Sequence, residues 1–186
     1  MEQFKNFDEI NQIDHRHVLV SQLNGRLLSL DLLYLALSEI TLHIGVPEDV
    51  RSQFNVAKNM ALYTYFQYSL APEVQMKTFA VIELSLRCRF PENEKKTLAP
   101  LLARALKEGL LKDSGFRQLV DINSTNNYSK GLVGIVSSLR NGLAHGSTSL
   151  SGECVGHIQI CADLINQLFA NVGTILSSDM NATQAK

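Results

Sequence analysis

Leu132-Val133-Gly134-Ile135-Val136-Ser137-Ser138-Leu139-Arg140-Asn141-Gly142-Leu143-Ala144-His145-Gly146-Ser147 is the stretch on which the reading of this chain turns. Its apolar residues Leu132, Ile135, Val136, Leu139 and Leu143 recur at i, i+3, i+4, i+7 and i+11, the stripe of a core-facing amphipathic helix. Arg140 lies beside that stripe. His145 follows five residues later, and at about 100° per residue the two side chains point about 140° apart on an ideal helix. They can share a site only if the helix loosens or a second copy contributes. Gly142 lowers helix propensity between them, and Gly146 is placed to end the helix in a left-handed conformation.

Around this stretch, 186 residues suit a single domain, and the 45% hydrophobic content with four prolines fits a packed core. We expect a peripheral arm over 1–24, one helical bundle over 25–178 and a polar tail over 179–186. Asp31, Glu39 and His43 interrupt the longest apolar run, so no membrane span is expected. Met1-Glu2-Gln3-Phe4-Lys5 lacks the apolar core of a secretory signal. Three cysteines, Cys88, Cys154 and Cys161, show no disulfide-framework spacing, which points to a reducing cytoplasm. A net charge of −1 argues against a surface that coats nucleic acid non-specifically. Yet from Ile122 to Gly152 there is no Asp or Glu, while Lys130, Arg140 and His145 are present. That locally basic window suits one or two phosphates.

Helical periodicity runs through the rest of the chain. A Leu-rich helix over 26–44 carries Leu33, Leu37, Ile40 and Ile44 on one face, with Gly45 and Pro47 as stop and restart signals. The next helix opens at Pro47-Glu48-Asp49 and runs Val50, Phe54, Ala57, Ala61 and Tyr65, out to about Leu70. Its aromatic cluster, Tyr63 to Tyr68, reads as packing ahead of a base-stacking platform or a strand. Pro72-Glu73 restarts a helix that is apolar nearly all round to about Arg89, the candidate central helix. Glu83 and Arg87 interrupt it at i and i+4, either as a pair on an exposed strip or as a buried pair positioning Arg87 near a site. Thr97 can cap a helix over Leu98–Leu106 that Gly109 weakens, and Phe116, Leu119 and Val120 suggest a short helix. After the motif helix, which begins near Ser129, a last helix carries Ile158, Cys161, Leu164, Ile165, Leu168, Val172 and Ile175. The sum is an all-α, up-and-down bundle of four to five main helices plus short extra ones.

Metal binding is not expected. His15 and His17 have no third ligand nearby, and Cys154, His157 and Cys161 spread over about 10.5 Å of helix axis, too far to converge on one zinc.

An Arg-then-His spacing is a short motif that chance readily supplies. Its context is more specific. Leu139-Arg140-Asn141-Gly142-Leu143-Ala144-His145-Gly146 resembles the signature of the HEPN superfamily of small helical proteins, in which Arg is followed by a polar residue and, a few residues later, His. Glu83-Leu84-Ser85-Leu86-Arg87-Cys88-Arg89-Phe90 also resembles the Glu-and-Arg helix of many members, and the likeness spans roughly residues 50–170. The resemblance implies a bundle that dimerises around the motif and, in many members, metal-independent RNA cleavage by toxins or defence proteins. Carried over, the catalytic residues are Arg140, Asn141 and His145. Where some members have a Tyr that is nucleotidylated by a partner, this chain has Ser147, which argues against that modification.

RNA cleavage by its own 2′-hydroxyl needs a base, an acid and positive charge at the transition state. Imidazole serves the proton transfers and guanidinium the charge. Asn141 orients His145 or holds the backbone. Lys130, Ser147 and Arg87 are candidate substrate contacts, with Glu83 positioning Arg87. The expected protein is a cytoplasmic dimeric endoribonuclease with no cofactor. Alternatively, it is an inactive helical module that binds a nucleotide or a protein, such as an antitoxin. The plainest reading makes His145 only a helix terminus favoured by the dipole.

Overall fold

The computed structural model describes residues 2–25, 28–93, 96–120, 125–145 and 154–170. There the chain forms α1 (His15–Asn24), α2 (Leu30–Ser38), α3 (Glu48–Tyr63), α4 (Ala71–Arg89), α5 (Leu98–Lys107), α6 (Asn127–Ala144) and α7 (Cys154–Phe169). Among the described residues there is no strand, and no helix is long and apolar enough to cross a membrane. Single 3-10 turns at Phe7–Glu9, Tyr68–Leu70, Pro91–Asn93 and Asp113–Gly115 join the segments.

Helix α4 is the axis on which the others lean. Pro72 tolerates the first turn because its missing N–H has no partner there, Glu73 favours the positive end, and Arg87 and Arg89 occupy the negative end. Val74, Val81, Ile82 and Leu86 are buried, and α4 packs most extensively against α7 and α3, then against α5 and α6. Fully burying side chains of this size is worth about 1.5–3 kcal/mol each.

Several expectations need correction. The Leu-rich helix does not reach Ile44. Its helical part is α2, and beyond it the Asn166 side chain of α7 accepts from His43 N–H at 2.8 Å and donates to the Thr41 carbonyl at 3.0 Å. These tertiary bonds hold the backbone out of the helix, so Leu33, Leu37 and Ile40 are buried but Ile44 is exposed. Helix α3 stops at Tyr63 rather than near Leu70, with Thr64 Oγ1 donating to the Ala61 carbonyl at its end. Thr97 precedes α5 without a side-chain cap. No helix forms over Phe116–Val120: Asp163 of α7 accepts from Arg117 N–H at 3.0 Å, and only a single turn, Leu119 N–H to the Phe116 carbonyl at 3.1 Å, follows the 3-10 turn at Asp113–Gly115. Val172 and Ile175 lie outside the described residues.

The N-terminal segment is tied down more firmly than a loose arm. The buried Asp14 caps α1, accepts from Tyr68 N–H at 2.8 Å and donates its own N–H to the Tyr65 carbonyl at 2.9 Å. Burial pushes its carboxyl up, but hydrogen bonds from Arg16 and Tyr68 outweigh that and hold it well below the usual carboxylate range. His17 Nε2 lies 2.8 Å from the Thr64 carbonyl, and its ring meets Tyr65 and Tyr68. Half-buried Tyr65, Phe66 and Tyr68 therefore pack, while Tyr63 stays exposed.

Candidate functional site

Helix α6 begins with a cap borrowed from elsewhere in the chain. The buried Asp113 carboxylate accepts from Ser129 N–H at 2.8 Å, Ser129 Oγ at 2.6 Å and Tyr128 N–H at 3.1 Å. Asn126, in the left-handed region at φ 51°, accepts from Asp113 N–H through its Oδ1 at 3.1 Å. Burial raises Asp113, yet the bonds from Ser129 and Tyr128 leave its carboxyl below the ordinary value. The sequence singled out neither residue.

Along α6 the buried side is narrower than the sequence stripe. Val136 is buried and Leu132, Val133 and Leu143 are half-buried, but Ile135 and Leu139 are 55% and 44% exposed. At about 100° per residue, Ile135 and Leu139 lie about 100° and 60° to one side of Val136, and Arg140 about 40° to the other. Arg140 thereby faces α4, and its Nη2 lies 3.1 Å from Glu83 Oε2. His145 falls about 180° from Val136 and is exposed.

Glu83 is the hub. Its buried carboxylate accepts a hydrogen bond from Arg87 Nη2 through Oε1 at 2.5 Å and pairs with Arg140 through Oε2. Between the two expected arrangements, the pair is buried at the carboxylate and about 40% exposed at the guanidiniums. One carboxylate serving two arginines leaves a single net positive charge. The contact at Oε2 lacks hydrogen-bond alignment, and the buried Arg87 Nε has no acceptor. Each is an open bond in a place where burial makes open bonds costly.

Helix α6 does not loosen at Gly142. It winds through Ala144, and His145 N–H still donates to the Asn141 carbonyl at 3.1 Å. Arg140 and His145 of one chain therefore point apart. Asn141 holds the helix through its carbonyl, and its exposed side chain makes no hydrogen bond to His145. Of the expected site residues, the structure brings together Arg140, Arg87 and Glu83. Lys130 sits in the first turn of α6, about 15 Å along the axis from Arg140, and does not join them. Ser147 and Gly146 lie outside the described residues, with any left-handed helix end at Gly146.

Within the described part of the acid-free window, two acids from outside it, Glu83 and Asp113, meet Arg140 and the start of α6. On α7, Cys154 and Cys161 are buried, and Cys161 Sγ lies 3.8 Å from the Thr78 carbonyl. Burial pushes the Cys161 thiol up, away from the thiolate a metal would require. Among the described residues no cluster of His, Cys, Asp or Glu is arranged to hold a metal ion. Buried Asp163, which accepts from Arg117 Nε at 2.9 Å and Gln159 Nε2 at 2.8 Å, escaped the sequence reading. The only signal was an acid inside the apolar run Cys161–Ile165.

No family model matches the sequence, and neither the curated proteins nor the solved structures gave a match.

Proposed function

We propose that this chain is a HEPN-type, metal-independent endoribonuclease that works as a homodimer, with Arg140, Asn141 and His145 forming a composite site. The observation that carries the reading is the unbroken winding of α6, which turns Arg140 toward Glu83 and the exposed His145 to the opposite side. A phosphodiester touched by both must lie between two copies. Exposed Ile135 and Leu139, on the side of α6 away from Arg140, provide apolar surface for a second α6. Across that dimer, His145 of one copy takes the 2′-proton and returns it to the 5′-leaving oxygen as the P–O5′ bond breaks, leaving a 2′,3′-cyclic phosphate, while the other copy supplies Arg140. Arg140, anchored by Glu83 with part of its fork in solvent, stabilises the charge on the phosphorus oxygens. Arg87, with its buried Nε lacking an acceptor, adds a second positive group at the same place.

A second reading keeps the fold and drops the reaction: a nucleotide- or protein-binding module of toxin–antitoxin type. The pairing of Arg140 with Glu83 favours it, because a neutralised guanidinium is a weaker phosphate ligand. RNA incubated with the protein in EDTA separates the two. The nuclease gives 2′,3′-cyclic ends, and His145→Ala abolishes them while circular dichroism shows an intact fold. Cleavage that survives His145→Ala rejects the assignment, and absence of cleavage by the wild type favours the module.

A further inference from the structure

A second site lies between α2 and α3, away from the arginine cluster. Asn55, Lys58, Asn59 and Leu62 recur at i, i+3, i+4 and i+7 on one face of α3, and with Tyr34 and Ser38 of α2 they line a cleft of about 410 Å³. That volume falls in the range of small-ligand pockets. The Lys58 ammonium donates to the Ile40 carbonyl at 2.9 Å, which uses one of its three donors. No carboxylate pairs with it among the described residues, and burial alone lowers its pKa from the ordinary lysine value. A half-buried cation without a counter-ion is stabilised by an anion that enters beside it.

The walls narrow the class of anion. One ammonium, two neutral amides and the Tyr34 hydroxyl match a single negative charge, the Ser38 hydroxyl already donating to the Leu35 carbonyl at 2.8 Å, whereas a phosphate dianion would leave its second charge unmatched. Half-buried Leu62 and the exposed Tyr34 ring, lying over buried Leu37, form the surface for hydrocarbon. We propose that the α2–α3 cleft binds a small monocarboxylate with an apolar tail, its carboxylate held by Lys58 and the Asn55 and Asn59 amides and its tail laid on Leu62 and the Tyr34 ring. The site does not depend on the nuclease reading, since none of these residues belongs to the Glu83 cluster.

Titrating the full chain with hexanoate and following backbone amide NMR signals tests the site. Saturable shifts are expected at Asn55, Lys58, Asn59 and Leu62. Lys58→Met, which keeps the packed stem, should weaken binding about tenfold or more, the loss of one charge-assisted contact. Asn59→Ala should weaken it less, and provides the comparison if Lys58→Met does not fold. Hexan-1-ol, with the tail but no charge, should bind more weakly than hexanoate. Three results overturn the proposal: no saturable shift at these residues, equal binding by hexanol, or inorganic phosphate binding as tightly as hexanoate. Wild-type RNA cleavage should be unchanged in Lys58→Met, which keeps failure here distinct from failure of the nuclease reading.

Discussion

At the scale of single residues, two buried carboxylates decide how α6 is held. Asp113 caps its first turn through Ser129 and Tyr128, and Glu83 fixes Arg140 near its end. Because the folded Asp113 carboxyl lies below its ordinary value, its contribution is fully present above the unfolded pKa, near 3.9, and is lost as pH falls through the folded one. Asp113→Asn should therefore lower stability at pH 7 by about 1–3 kcal/mol, the cost of weakening bonds to a buried acceptor. The gap to wild type should close in urea titrations taken toward pH 3. A constant gap would show that the charge at this position is not what matters. Glu83→Gln removes the charge that two guanidiniums share. Since both guanidiniums are more than a third exposed, water compensates them in part, and the stability loss should be only about 1 kcal/mol. Cleavage should fall about tenfold or more as Arg140 loses its anchor, seen in kcat with KM little changed.

At the scale of elements, chain ends and breaks follow local rules wherever no distant residue intervenes. Helix α5 closes in a Schellman motif, with Gly109 N–H donating to the Leu106 carbonyl at 3.0 Å and Leu110 N–H to the Ala105 carbonyl at 3.0 Å. Gly109 sits at φ +71° with open space where a Cβ would go, so Gly109→Ala pays only for backbone conformation. The expected loss is about 1 kcal/mol in thermal or chemical unfolding, and an unchanged midpoint would contradict the motif. The same local signals made the starts of α3 and α4 legible through proline and acids, and the end of α5 through its glycine. They failed at the ends of α2 and α3, while the start of α6, expected near Ser129, lies at Asn127. Beyond α2, Asn166, distant in sequence, captures the backbone with side-chain hydrogen bonds that no periodicity records, and the same holds for Asp113 as the cap of α6. Ile135 and Leu139 matched the apolar period of a core stripe, yet only the Val136 side of α6 finds neighbours. Periodicity marks an apolar face without saying whether this chain or another covers it.

At the scale of the whole molecule, α4 organises the bundle and supplies Glu83 and Arg87 to the candidate site, while α6 supplies Arg140 on one side and His145 on the other. Arg140, Asn141 and His145 were visible in the sequence as a motif, and so was Glu83 with Arg87 as an i, i+4 pair. That Glu83 also reaches Arg140 was not, because that contact joins two helices more than fifty residues apart. The geometry of one chain leaves a guanidinium and an imidazole separated, and two-fold symmetry is the simplest way to reunite them. Mixing two inactive variants, Arg140→Ala and His145→Ala, under subunit exchange tests this most directly. In the mixed dimer one site regains an intact arginine from one chain and an intact histidine from the other. RNA cleavage should return to roughly a quarter of the wild-type rate, because half the dimers are mixed and each carries one working site. If exchange is verified and the mixture stays as inactive as its components, the two groups do not meet across a dimer and the composite site is wrong.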